Sequence, residues 1–91
     1  MLEFEWDPRK AKLNVAKHRV SFEEAETCFG DPLAETIEDE VHSLNEERLI
    51  TIGLSAKGRL LVVCHTYRDE VIRIISARQA TKSERELHET I

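Results

Sequence analysis

Aromatic residues are scarce in this chain, with one Trp, one Tyr and three Phe among 91 residues. So few rings exclude a surface that binds nucleic acid mainly by stacking bases, and Trp6 and the phenylalanines belong to a core or an interface. Cysteine is nearly absent too. Cys28 and Cys64 form no C-x-x-C pair and have no histidine at ligand spacing, so they read as reduced, small hydrophobic residues rather than disulfide or metal partners. His18, His42, His65 and His88 are equally scattered, and neither a metal nor any other cofactor is expected. No apolar run approaches the roughly 18 residues that span a bilayer, so no membrane role is expected. The stretch from Met1 to Trp6 has neither the basic flank nor the apolar core of a signal peptide, and the expected location is cytoplasmic. Repeats, low-complexity tracts and linkers are also missing, which leaves one domain over residues 1–91.

What is present is enough apolar residue for a modest core and an uneven distribution of charge. Leu, Ile, Val and Phe make up 25 of 91 residues, above the level of disordered chains. A chain this short buries roughly 60–65% of its unfolded surface, so a partner can matter to its stability. The net charge of −5 hides a strong alternation. Residues 8–19 carry Arg9, Lys10, Lys12, Lys17 and Arg19 with no acid; residues 20–47 carry ten acids and no Lys or Arg. Residues 48–82 carry seven Lys or Arg against Asp69 and Glu70. Two basic segments flanking an acidic block suit an anionic partner, although a solvated surface with internal ion pairs explains the same pattern.

The pattern predicts an α+β fold: two N-terminal helices packed on an antiparallel β-meander, with a C-terminal helix. Leu2, Phe4 and Trp6 alternate with Glu3 and Glu5, which predicts a short opening strand. Asp7-Pro8 supplies an N-cap and a first-turn proline for a helix from Pro8 to His18, with Lys10, Asn14, Lys17 and His18 gathered on one side. Ser21-Phe22-Glu23-Glu24 is a capping box for a second helix, which Gly30 and Asp31-Pro32 terminate. A short strand over Leu33–Ile37 and an acidic loop over Glu38–Glu47 follow. Arg48–Leu54, Arg59–Tyr67 and Val71–Ala77 then read as strands, joined by Ser55-Ala56-Lys57-Gly58 and by a tight turn at Arg68-Asp69-Glu70. Thr81-Lys82-Ser83-Glu84 is a second capping box, opening a helix to about Ile91 with an apolar stripe of only Leu87 and Ile91.

With regular registers, Ile50, Ile52, Leu54, Leu60, Val62, Cys64, Val71 and Ile75 share one sheet face, which is expected to lie under the helices. The other face carries Leu49, Thr51, Leu61, Val63, His65, Tyr67, Ile72, Ile74, Ser76 and Arg78 and is expected to be partly open. Arg73 falls on the apolar face by this count, which suits only a sheet end or a bulge.

The richest chemistry lies between His65 and Arg78. Guanidinium groups pair bidentately with phosphate oxygens and keep their charge. Metal-free RNA cleavage needs a group to take the 2′-hydroxyl proton, a cation for the charge developing on phosphorus, and an acid for the departing oxygen. His65 is the one residue here whose unperturbed pKa fits proton transfer near neutral pH. Arg68, Arg73 and Arg78 fit the clamp. The same residues also fit a hydrogen-bonded structural histidine and arginines paired with Asp69, Glu70 or the acidic loop.

Read in order, Phe4-Glu5-Trp6-Asp7, Lys10, Asn14, Lys17-His18 and Val20-Ser21-Phe22-Glu23-Glu24-Ala25 resemble the start of the BrnT toxin family. Phe29-Gly30-Asp31-Pro32, Glu47-Arg48 with Ile52-Gly53, Arg73-Ile74-Ile75-Ser76-Ala77-Arg78, Ala80-Thr81 and Glu84-Arg85 continue the likeness nearly to the end. The chain departs at His18-Arg19-Val20, where the family it resembles usually reads His-Gly-Val, and Cys64 and Tyr67 sit where other residue types are common in that family. The resemblance implies a RelE-like fold and a ribonuclease that inhibits translation without a metal. It also implies a BrnA-type ribbon-helix-helix antitoxin, a hetero-oligomer with it, and contact with operator DNA only through it. The residues expected to act in catalysis are His65, Arg68 and Arg78, with Arg73, Arg48, Lys10, Lys17 and His18 contacting RNA. Two other classes remain open: a non-catalytic protein of the same fold that binds a target such as gyrase, and a subunit that mainly binds its antitoxin.

Overall fold

In a computed structural model, which describes residues 2–90, the chain builds one five-stranded sheet and three helices. Strand β1 is Phe4–Glu5, followed by helices α1 (Pro8–His18) and α2 (Phe22–Thr27) and a 3-10 turn at Cys28–Gly30. Strand β2 is Glu35–Glu38, and a second 3-10 turn at Glu40–His42 lies in the acidic loop. Strands β3 (Leu49–Leu54), β4 (Leu60–Arg68) and β5 (Val71–Gln79) precede helix α3 (Lys82–Glu89). Among the described residues no helix is long and apolar enough to cross a membrane.

The strand order is β1-β5-β4-β3-β2. Strands β2 to β5 are antiparallel neighbours, but β1 joins the far edge parallel to β5, with Phe4 opposite Ile72 and Glu5 opposite Arg73. The expected pure meander is corrected accordingly: the N-terminal strand adds a parallel edge.

Helix α1 starts where Asp7 accepts a hydrogen bond from the Arg9 amide at 2.8 Å, with Pro8 in the first turn. It ends on Arg19, which takes the left-handed conformation (φ 59°) that glycine adopts without strain, and the Arg19 amide still donates to Val15 O. Asn14 is buried rather than part of the basic face. Its Nδ2 donates to Val20 O and Ala77 O, and its Oδ1 accepts from the Ala77 amide, which ties α1 to β5.

Only half of the expected capping box forms on α2. Ser21 Oγ accepts from the Glu24 amide at 3.0 Å, but the Glu24 carboxylate turns instead to Arg59 and Ser55. A guanidinium is a stronger partner than one backbone amide, and its hydrogen bonds hold the Glu24 carboxyl below the usual range. On α3 the full box forms between Thr81 and Glu84. Of the stripe expected on α3, Leu87 is 69% exposed and Ile91 lies outside the described residues.

The core joins Val20, Phe22, Ala25 and Cys28 of the helical layer to Leu61, Val63, Ile74 and Ala77 of the sheet. The expected assignment of sheet faces is therefore reversed. The helices cover the face of Leu61, Val63, Ile72 and Ile74, and the face of Ile50, Val62, Cys64 and Ile75 is the partly open one. The two faces are almost equally apolar, so composition does not choose between them. Thr51 and His65 satisfy each other at 2.8 Å and can be buried, whereas the arginines cannot. Helix α3 lies on the open face at its other end, forming an apolar cleft with Glu35, Ile37 and Ile52.

Candidate functional site

Strand parity decides which arginines share a surface. Ile50 pairs with Cys64 and Ile52 with Val62, so Arg48 at the entry to β3 and Arg68 at the end of β4 project from the open face. In β5 a bulge intervenes. His65 pairs with Ile74 while Cys64 pairs with Ser76, which leaves Ile75 as an extra residue. The bulge reverses parity beyond Ile74 and puts Ser76 and Arg78 on the open face with Ile75, opposite Cys64 and Val62. Arg73, opposite Thr66, is on that face already.

Two adjoining grooves run over this surface. The first, about 250 Å³, is lined by Asp39, His42, Arg48 and Arg78 above a floor that includes Ile50, Val62, Cys64 and Ser76. The second, about 470 Å³, is lined by Val41, His42, Leu44, Glu46, Arg48 and Arg68. His42 and Arg48 belong to both, Arg78 lines only the first and Arg68 only the second.

The acidic loop that carries Asp39 and His42 is fixed by its own polar atoms. The Asp39 amide donates to Arg48 O at 2.8 Å, Ser43 Oγ donates to Asp39 O at 2.6 Å, and the Arg48 amide donates to Ser43 Oγ at 3.0 Å. Thr66 Oγ1 donates to Glu47 O at 2.6 Å, which binds the loop to β4. His42 Nδ1 lies 2.9 Å from Asp39 Oδ2. The Asp39 side chain is 11% exposed and that of His42 64%, so the carboxylate is enclosed while the imidazole faces solvent.

Every sheet arginine has a carboxylate nearby, and the pairs differ in closeness. Glu46 stands loosely between Arg48 and Arg68, at 3.8 and 3.7 Å. Glu84 binds Arg78 with both oxygens, at 2.7 and 2.9 Å. The Arg78 hydrogen bonds draw the Glu84 carboxyl down to about 2. Burial raises the Cys64 thiol, so the sulfur in the groove floor is held in its protonated, unreactive form. Among the described residues no three His, Cys, Asp or Glu side chains converge as a metal site requires.

Of the residues expected to form the site, Arg48, Arg68 and Arg78 come together along the two grooves. His65 does not. It is fully buried on the helix side, edge-on to Phe29 (5.0 Å between ring centres) and Tyr67 (5.8 Å), with Nε2 2.8 Å from Thr51 Oγ1. Burial lowers its pKa to about 4, so the ring is neutral near pH 7 and the sheet separates it from Arg78. The expectation that His65 transfers a proton beside these arginines is corrected on both counts. Arg73 is held at the β1 edge by Glu5 at 2.5 Å, outside both grooves. Lys10, Lys17 and His18 lie on α1, in the layer across the sheet, apart from the two grooves. His42 and Asp39 line the grooves without having been singled out in the sequence. Their only signal was a His three residues after an Asp inside a block dominated by acids.

The family model described as "Ribonuclease toxin, BrnT, of type II toxin-antitoxin system" matches residues 6–84. Among solved structures, the 1.1 Å crystal structure of the Brucella abortus ribonuclease toxin BrnT is similar at a TM-score of 0.70. The two chains share 22% identity over 90% of this chain and 100% of that one, which establishes the likeness of fold. No curated protein sequence matches.

Proposed function

The chain belongs to the BrnT family of ribonuclease toxins of type II toxin-antitoxin systems, and from this we propose that it is a cytoplasmic endoribonuclease that cleaves RNA without a metal, inhibits translation and is neutralised by a BrnA-type antitoxin. The observation that carries this reading is the placement of Arg48, Arg68 and Arg78 along two adjoining grooves on one sheet face. A phosphodiester strand laid over that face meets guanidinium groups at successive positions. Guanidinium is the side chain best matched to phosphate oxygens and to the extra charge of a pentacovalent phosphorus. The exposed apolar residues Val41 and Leu44 flank the second groove and offer contacts for bases. Operator DNA is met only through the antitoxin, in a toxin-antitoxin hetero-oligomer whose interface covers the basic face.

The deciding experiment is cleavage of a total-RNA preparation by purified protein in excess EDTA, alongside growth after induction. Wild type should fragment RNA and arrest growth, and Arg48→Ala/Arg78→Ala should lose at least about 10²-fold in cleavage rate while remaining folded. Arrest with DNA breaks and intact RNA would replace this reading with a gyrase-directed one. Folded protein that neither arrests growth nor cuts RNA would leave a subunit whose role is to bind its antitoxin.

A further inference from the structure

Cleavage of an RNA strand held on Arg48 and Arg78 requires a group to take the 2′-hydroxyl proton, and the grooves contain one imidazole. We propose that His42, oriented by Asp39, is that group. The inference rests on the ribonuclease reading and adds to it the residue that performs proton transfer. Three observations support it. His42 and Arg48 wall the same two grooves, so a phosphate bound to Arg48 lies in a groove that the imidazole also lines. His42 Nδ1 is 2.9 Å from Asp39 Oδ2, so the carboxylate accepts Nδ1–H and leaves the Nε2 lone pair directed outward. Asp39 is itself fixed, enclosed and tied to Arg48 through backbone and Ser43 contacts, so the pair is preorganised rather than a chance surface contact.

The step balances without any further cofactor. His42 Nε2 takes the proton from the 2′-oxygen, and that oxygen forms a bond to the adjacent phosphorus. The bond from phosphorus to the 5′-oxygen breaks, giving a 2′,3′-cyclic phosphate. Water at the groove mouth protonates the departing 5′-oxygen, and the imidazolium returns its proton to water. Arg48 and Arg78 hold the phosphoryl oxygens throughout. Asp39 does not touch substrate; it is a positioning residue that fixes the tautomer and steadies the imidazolium. The charged or titratable groups that face His42 are Asp39, Arg48, Cys64 and Arg78 in one groove and Glu46 and Arg68 in the other.

The test uses the full chain and a short single-stranded RNA oligonucleotide in EDTA. His42→Ala should cut about 10²–10⁴-fold more slowly than wild type, bind the RNA within a few-fold of it, and recover activity with added imidazole. The fragments should end in 2′,3′-cyclic phosphate. Asp39→Asn should lower kcat about 10-fold or more while leaving KM for the RNA within a few-fold of wild type, because the imidazole is still present but no longer held in one orientation. An Asp39→Asn variant with unchanged kcat, or with a loss confined to KM, would remove Asp39 from the proposal. A His42→Ala variant that cuts within about threefold of wild type overturns the proposal while the ribonuclease reading survives. A wild type that cuts no RNA overturns both.

Discussion

Thr51 and His65 meet side chain to side chain at 2.8 Å inside the helix-covered face of the sheet, and Thr36 continues the row to the edge strand at 2.7 Å. The row crosses β4, β3 and β2 and gives the buried imidazole of His65 a polar partner. With Nε2–H donating to Thr51, only an acceptor, Nδ1, lacks a partner.

The first expectation concerns this histidine. Its folded pKa of about 4 lies below the ordinary 6.5, so protonation favours the unfolded chain. Its contribution is present in full above pH 6.5 and is lost as pH falls through 4, amounting to about 3 kcal/mol. His65→Ala should cost about 2–4 kcal/mol near pH 7 from lost packing and the broken hydrogen bond. The gap between the two proteins in urea unfolding should narrow steadily from pH 6.5 to 4. A constant gap would mean that His65 titrates in the core as it does in water.

Arg19 offers a gain in stability. It holds φ at 59°, where a Cβ costs about 1 kcal/mol, and its backbone contacts do not need its side chain. Arg19→Gly should raise stability by about 0.5–1 kcal/mol, which in a domain of this size is several degrees in Tm. No change, or a loss, would show that the arginine side chain supports the turn in a way its geometry does not reveal.

Gly53 in β3 should tolerate no side chain. A Cβ there would stand 2.9 Å from Cys28 O and 3.0 Å from the Ala34 Cβ, so the 3-10 turn and the strand entry would have to move apart. Gly53→Ala is expected to cost about 1–3 kcal/mol by overpacking. Thermal unfolding reads the result directly, and a variant as stable as wild type would mean that the turn yields freely.

These positions also show where the sequence was readable. Asp7-Pro8 and Thr81 with Glu84 marked helix starts because caps are local chemistry, complete within four residues. The sheet faces were not readable because both are rich in Leu, Ile and Val, and because the bulge at Ile75 leaves no mark in composition. That bulge is why Arg78 parts from His65 and joins Arg48. Glu24 was misassigned as a cap because its partner Arg59 is 35 residues away, and His42 was overlooked because its partner is one Asp among many acids.

Glu84 tests the groove from its other end. Its carboxylate caps α3 through the Thr81 amide at 2.8 Å and at the same time occupies Arg78. Its folded pKa of about 2 lies below the usual 4.5, so its stabilisation is present above pH 4.5 and lost as pH falls through 2. Solvent screening around the 40% exposed Arg78 side chain limits that contribution to about 1–2 kcal/mol. Glu84→Gln should therefore be slightly less stable, because an amide still caps the helix but no longer pairs with Arg78 as an ion. The same change should free the guanidinium for phosphate. RNA affinity in filter binding is expected to rise about 3–10-fold, and the slope of log affinity against log salt to steepen, because Arg78 then meets phosphate without a competing carboxylate. Unchanged affinity and slope would place Arg78 outside the path of the RNA strand and leave it as the anchor of α3.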